Sequence, residues 1–371
     1  MKADLKTKIQ KADNLFVNKN KDDFALPKYN KDTYSLDIAK AGYYQALVVL
    51  RHFIKLSSDF YWGEIQGAYN VDLFMLTSSV SSPMGPGSDS EAVNLKLGEL
   101  DTHLVDSSQF GFEPILINNI KKAYCYLPSM RGENPDKRHL NQFFHCEAEI
   151  VGELHDLKPQ IEGYVKFLSE TLLLMPNILS LLSTNHEVSF KKLNDLFKAE
   201  KLEEISLDEA IELLDKSGFG DLVNKTKNGS DISNKGEFKL MELLKTTTPV
   251  WIKNFDRDRV PFYQSLDNTN KNKAINADLL FPPIVDNSFG GEIVGSGQRQ
   301  NSPEEMYESL RRQSLDSKPY EWYINLRRLP NYKTTSGFGL GVERFIAWAL
   351  CRDDIKDVIL YPRLKNVLSY P

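Results

Sequence analysis

Arg131-Gly-Glu133-Asn-Pro-Asp-Lys-Arg138-His139-Leu-Asn-Gln-Phe143-Phe-His-Cys-Glu147-Ala-Glu149 decides the fold of this chain, read together with Gly337-Phe-Gly339-Leu-Gly341-Val-Glu343-Arg344-Phe near its C-terminal end. The first stretch predicts the end of one strand, a tight turn at Asn134-Pro135-Asp136, and a second strand with acids at alternating positions. The second predicts a glycine-rich strand running into an apolar helix over 345–350. Each supplies an arginine, and the two strands can lie side by side in one antiparallel sheet. Two guanidiniums over one cleft suit a polyphosphate, because the planar fork binds anionic oxygens bidentately. Glycines at alternate positions leave bare backbone on which a flat ring or a ribose can rest.

These residues resemble motifs 2 and 3 of the class II aminoacyl-tRNA synthetases, in the detail of the aspartyl/asparaginyl branch. Further matches are Glu292-Ile-Val-Gly-Ser-Gly-Gln-Arg299, Tyr320-Glu-Trp-Tyr-Ile-Asn-Leu-Arg-Arg328 and Ile355-Lys-Asp-Val-Ile-Leu-Tyr-Pro-Arg363. The resemblance implies an α+β fold, an antiparallel sheet flanked by helices. No G-x-x-x-x-G-K-[ST] sequence is present, which excludes Walker-type phosphate binding.

It also implies ATP-dependent activation of an amino acid as an adenylate. In that chemistry a carboxylate attacks the α-phosphorus and pyrophosphate leaves, so charge must be neutralised at several places. By resemblance Arg131 bridges the carboxylate and the α-phosphate, while Arg344 and His139 serve the γ-phosphate side. Phe143 stacks on adenine with Arg344 covering the other face, Glu133 accepts from the adenine amino group, and Gly339 and Gly341 line the nucleotide site. Glu292 and Asp278 are the implied Mg²⁺ ligands, since a hard cation takes carboxylate oxygens. The stretch between these two is longer than the family's, through Pro282-Pro283 and Asn287.

For the amino acid, Ser107-Ser-Gln109-Phe-Gly-Phe-Glu113 resembles the family's Ser-x-Gln-Leu segment. Gln109, with Glu147 or Glu149, is expected to hold the substrate ammonium. Aspartyl enzymes place a lysine where this chain has Phe112, whereas asparaginyl enzymes have a glutamate at the position of Glu113. Glu113 as acceptor and Arg299 as donor match a carboxamide, which shows one C=O and one NH₂. The same two groups fit an aspartate bound end for end, so asparagine and reversed aspartate both stay open. The turn-rich stretch from Met84 to Glu91 corresponds to a family loop over the amino acid, which makes Ser90 or Glu91 a candidate contact.

Net charge is −5, so no global basic field advertises nucleic-acid binding. Three cysteines without C-x-x-C spacing predict reduced, buried thiols, and strand alternation sends His145 and Cys146 to opposite faces, which argues for packing there. No apolar run reaches the ~18 residues of a membrane span and no signal peptide is evident, so a cytoplasmic protein is expected. Residues 1–40 are expected to be a short helix and an extended arm, and 41–371 the catalytic domain with a helical or looped insertion at about 154–250. Helices are predicted over 41–58, 154–175 and after Ser206, a strand over 71–77, and polar loops over 224–237 and 265–273. The helix at 41–58 with Pro83 resembles motif 1 and implies a homodimer.

Only some forty residues precede that helix, too few for the anticodon-reading barrel of this branch. The leading expectation is therefore an AMP-forming ligase that passes asparagine, or aspartate, to a small amine or ammonia, with tRNA an improbable partner. A minimal asparaginyl-tRNA synthetase and a non-catalytic binding module are the alternatives.

Overall fold

The computed structural model describes residues 1–83, 85 and 90–370. Its main sheet has eight strands, numbered here in chain order: β1 (Tyr69–Asn70), β2 (Lys122–Met130), β3 (Gln142–Val151), β4 (Glu203–Ser206), β5 (Val250–Lys253), β6 (Asn276–Phe281), β7 (Gly291–Gln298) and β8 (Thr335–Gly341). Their order across the sheet is β1-β2-β3-β8-β7-β6-β5-β4. The two edge pairs run parallel, and every pair between β2 and β5 is antiparallel. Helices pack beside this sheet, so the expected α+β class holds.

The decisive stretches meet as their patterns predict. Met130 of β2 faces Gln142 of β3 across the proline turn. On the other side of β3, Gly337, Gly339 and Gly341 of β8 lie opposite Glu149, Glu147 and His145. Period-two alternation then sorts β3 by chemistry. Cys146, Ala148 and Ile150 enter the main core, whereas Phe143, His145, Glu147 and Glu149 fall on the opposite, cleft-facing side.

That core is built by helices Gly42–Asp59, Leu154–Leu173 and Val342–Ala349 against the sheet, through Leu47, Leu50, Ile54, Leu157, Ile161, Val165, Phe345 and Trp348. Each such side chain contributes roughly 1.5–3 kcal/mol on full burial, which outweighs helix propensity as the reason these segments are ordered. The helix Leu154–Leu173 opens with a capping box of Glu153 and Asp156, and Ser206 caps Leu207–Lys216 with Glu209 answering, as its sequence suggests.

Three expectations fail. Residues 71–77 form no continuous strand; Leu76–Thr77 pairs instead with the hairpin Asn94–Leu97/Leu100–Leu104 in a separate small sheet. Residues 224–237 are not a loop. They hold the hairpin Val223–Thr226/Gly229–Ile232, turned at Gly229 with φ +119°, and the start of helix Asn234–Leu244, capped by Ser233. Its sparse apolar residues Val223, Ile232, Leu240 and Met241 close a second core with Leu207 and Leu214. Finally, residues 1–40 open with the expected short helix, Ala3–Asp13, but no extended arm follows: the segment holds a second helix, Tyr34–Lys40, and Leu5, Ile9, Phe16, Phe24 and Tyr34 are buried in the main core. No single helix among the described residues is long and apolar enough to cross a membrane.

Candidate active site

Strands β2, β3, β8, β7 and β6 floor a cleft of about 650 Å³. Ser107, Gln109, Arg131, Glu133, His139, Glu147, Glu149, Asp278, Glu292, Arg299, Gly339 and Arg344 line it, so most of the residues singled out from the sequence come together. A smaller recess continuous with it adds Phe143 and Gly341.

The nucleotide half holds Arg131 and Arg344. Arg131 lies with its guanidinium carbon 5.4 Å from the Phe143 ring centre, and its buried Nε has no hydrogen-bond partner. A buried guanidinium donor left open favours an anionic guest. Arg344 donates from Nη1 to the carbonyl and the carboxylate of Glu292, at 3.0 and 3.2 Å. His139 is fixed by Asp136 at 2.8 Å, and burial together with Arg344 lowers its pKa, so the ring is held neutral. Glu133 accepts weakly from the Glu91 amide at 3.4 Å.

The longer stretch between Asp278 and Glu292 does not pull them apart. The extra residues loop out beyond the ends of β6 and β7, while Asp278 stays opposite Gly295 in the ladder. A Cβ at Gly295 would sit 3.3 Å from Glu292 Oε1 and 3.5 Å from Asp278 Oδ1, so the missing side chain leaves a space flanked by both carboxylates. Burial, then Glu292 and Glu237, push the Asp278 carboxyl well up. Acids crowded this way call for a cation, and two carboxylates with phosphate oxygens from a nucleotide make a donor set that suits Mg²⁺.

At the amino-acid end Arg299 and Glu149 form a bidentate pair at 2.9 and 2.7 Å, and Thr335 donates to Glu149 at 2.8 Å. Gly337 makes this possible, since its Cβ would lie 2.0 Å from Glu149 and 2.3 Å from Arg299. The bareness of that glycine thus serves the protein's own ion pair; only at Gly339, where a Cβ would have 3.7 Å of clearance, is the backbone open to a guest. Glu147 accepts from Ser107 Oγ and from the Ser108 amide at 2.9 Å.

Two candidates are misplaced. Glu113 does not line the cleft: it is fully buried behind it, 2.8 Å from Arg327 and hydrogen-bonded by the Tyr323 hydroxyl. The helix Phe112–Ile117 turns Phe112 toward the cleft and Glu113 away. Glu91 also stays out, its carboxylate 3.0 Å from Lys365 and its carbonyl bonded by Gly132. Ser90 does line the cleft; Met84 and residues 86–89 of that loop lie outside the described residues.

Other lining residues were not expected in the site, and His145, expected to pack like Cys146, is one of them. His145 shares the face of Glu147, and alternation from Phe143 and Glu147 could have placed it there. Burial, Arg131 and Arg344 lower its pKa well below the usual range, so it is a neutral ring bonded to Ser129 at 2.9 Å. Gln264 enters over Gly297, whose Cβ would be 1.9 Å from it, and its buried Oε1 has no partner; nor has Nε2 of Gln109. Glu237 comes from helix Asn234–Leu244, and burial pushes its carboxyl up to about 7 against the pull of Arg138.

Known proteins share this design. A probable asparagine–tRNA ligase, cytoplasmic, of Encephalitozoon cuniculi is 31% identical over 315 residues, 84% of this chain and 65% of the relative. The asparagine–tRNA ligase of Thermoplasma acidophilum is 28% identical over 367 residues, covering 95% and 77%. The chain thus spans about two thirds to three quarters of these relatives' lengths. The asparaginyl-tRNA synthetase of Pyrococcus horikoshii, solved with asparaginyl-adenylate, superposes with a TM-score of 0.79 at 26% identity, over 91% of this chain and 73% of that one. The family described as tRNA synthetases class II (D, K and N) matches residues 80–365, and the chain belongs to it.

Proposed function

We propose that this protein activates asparagine with ATP and Mg²⁺ as asparaginyl-adenylate and transfers the asparaginyl group to tRNA. The observation that carries the reading is the Arg299–Glu149 pair closing the amino-acid end of the cleft. The two charges offset each other, leaving one donor group and one acceptor for a neutral carboxamide, and no net charge to match a second carboxylate. The acceptor role expected of Glu113 thus passes to Glu149. Reversed aspartate would meet the same two groups, and the names of the relatives tip the balance to asparagine.

The expectation of a non-tRNA acceptor, and of tRNA as an improbable partner, gives way here. It rested on chain length and acidity, whereas the relatives reported above are named for ligation to tRNA. A cytoplasmic location is the reading that the name of the Encephalitozoon relative supports.

In this reading Arg131 draws the asparagine carboxylate and the α-phosphate together, and Arg344 draws the distal phosphates to the opposite end. Glu147 and Gln109 hold the ammonium, and Phe143 supplies the face on which adenine rests. Mg²⁺, held by Glu292 and Asp278, would neutralise phosphate charge as pyrophosphate departs. His145, neutral beside Arg131, can donate a hydrogen bond without adding charge. Exposed Tyr69, Leu97 and Leu100 offer apolar surface for a two-fold interface with a second copy.

The test is ATP–pyrophosphate exchange with asparagine and with aspartate, followed by charging of total tRNA with labelled asparagine. Exchange with asparagine and label on tRNA are expected. Exchange without charging of tRNA would return the acceptor to a small amine, and exchange with aspartate alone would reverse the substrate.

A further inference from the structure

Glu292 is held from outside its own strand. Its backbone N–H donates to Glu237 Oε2 at 3.1 Å, and the carbonyl of Gly290, two residues earlier, accepts from Arg138 Nη1 at 2.6 Å. Arg138 and Glu237 face one another at 3.8 Å with the backbone of residue 291 between them. Gly291 has φ +78°, and a Cβ there would fall 2.2 Å from Glu237 Oε2 and 2.8 Å from Arg138 Nη2. Only glycine fits on both counts, since the left-handed backbone and the close approach each exclude a side chain.

The two gripping side chains have different origins. Arg138 lies in the loop after the motif 2 arginine and is itself seated between two rings, its guanidinium carbon 4.7 Å from Phe289 and 5.3 Å from Phe238. Glu237 lies outside the motifs quoted from the sequence, on helix Asn234–Leu244, whose Leu240 and Met241 belong to the second core. That helix packs Leu240 and Met241 against Val250, Ile252 and Leu280 of β5 and β6, and reaches the start of β7 through Glu237. Where β7 begins sets where the Glu292 carboxylate falls between Arg344 and the Asp278 side of Gly295.

We infer that Glu237 and Arg138 are positioning residues that clamp the start of β7 and thereby aim the Glu292 carboxylate at the bound cation. The clamp rests on the reading of Glu292 as a cation ligand. It works through a hydrogen-bond acceptor on residue 237, so Glu237→Gln should keep most of the function that Glu237→Ala loses.

The experiment is titration of Mn²⁺ onto the intact protein with a non-hydrolysable ATP analogue, followed by electron paramagnetic resonance, for wild type, Glu237→Ala, Glu237→Gln, Arg138→Met and Glu292→Gln. Partners that orient metal ligands typically govern affinity by 10–100-fold. Glu237→Ala is expected to weaken Mn²⁺ about tenfold or more, with Glu237→Gln within about threefold of wild type and asparagine binding unchanged. Unaltered Mn²⁺ affinity in a folded Glu237→Ala, while Glu292→Gln loses it, overturns the clamp alone. Unaltered affinity in Glu292→Gln overturns the cation reading and the clamp with it. If Glu237→Ala does not fold, Arg138→Met decides, since it releases the Gly290 side of the same grip.

Discussion

Glu113 and Arg327 form an ion pair with no exposed side-chain surface, Oε2 lying 2.8 Å from Nη1 one layer behind the amino-acid end of the cleft. The hydrogen bonds to the carboxylate fall on Oε1, from the Tyr323 hydroxyl and from Arg327 Nη2 at 3.0 Å, while buried Oε2 meets Arg327 through charge alone. Arg327 also donates to the carbonyls of Gln300 and Tyr323, both at 2.9 Å. Gln300 follows Arg299 in the chain, so this pair fixes the backbone from which Arg299 reaches into the cleft.

Removing one side of such a pair leaves the other charge buried and uncompensated. Glu113→Ala is expected to lower stability by about 3–5 kcal/mol, and Glu113→Leu with Arg327→Met together to cost much less than either alone. Urea unfolding measures both. A loss of amino-acid selectivity in Glu113→Ala with unchanged stability would instead return Glu113 to the cleft.

What the sequence revealed, and what it hid, follows from range. The β2–β3 turn and the glycine strand were legible because period-two alternation is local: Glu147 and Glu149 share a face in any register, and apolar Cys146, Ala148 and Ile150 mark the other face as the core side. Glu113 misled because sequence spacing places it on the Gln109 segment but says nothing of which way a short helix turns it. Its partner Arg327 stands more than two hundred residues away, in no pattern with it. The helix bearing Glu237 was hidden for a different reason. Its apolar residues are too sparse to show a period until Leu207 and Leu214 supply the other wall of their core.

Arg344 meets no carboxylate but Glu292 among the ion pairs of the described residues, and that contact of 3.2 Å leaves much of its fork directed at the cleft. Arg344→Ala should therefore cost catalysis more than folding. Loss of a charge clamp acting on the transition state lowers rate by ~10²–10³, read as pyrophosphate exchange with asparagine, with the unfolding midpoint nearly unchanged. Full exchange activity in this variant would count against the assignment of Arg344 to ATP.

The Arg299–Glu149 pair makes the end of the pocket electrically balanced. Glu149→Gln leaves Arg299 uncompensated, so the pocket becomes cationic and should favour a carboxylate over a carboxamide. The ratio of exchange rates, aspartate over asparagine, is expected to rise about tenfold or more, because one unit of unbalanced charge close to the ligand easily exceeds 1.4 kcal/mol. An unchanged ratio would remove the pair from side-chain recognition.

The apolar residues left exposed on the edge strand of the main sheet, Tyr69, and on the hairpin of the small sheet, Leu97 and Leu100, are expected to be covered in solution by a second copy. Light scattering at micromolar concentration should return twice the chain mass, and Leu97→Glu with Leu100→Glu should return the single mass. A wild-type monomer would end this reading.

Asp357 carries a stability signal apart from the cleft. Burial raises its pKa to about 6; Arg352, 4.0 Å away, opposes this, and Asp354 and Asp353 add to it. The unfolded value is about 3.9. Because the folded value is the higher one, the folded chain keeps a proton that the unfolded chain has released between about pH 4 and 6. The favourable contribution is complete below the unfolded pKa and is lost as pH rises through 6. Asp357→Asn cannot lose that proton, so its stability relative to wild type should climb across this window. The expected gain is about 1–2 kcal/mol once solvent screening of the partly open site is allowed for. Groups titrating elsewhere cancel in the difference between the two proteins, and urea unfolding at pH 4, 5, 6 and 7 reads that difference directly. A constant offset over the series would mean that Asp357 titrates at the same pH in the folded and unfolded chain.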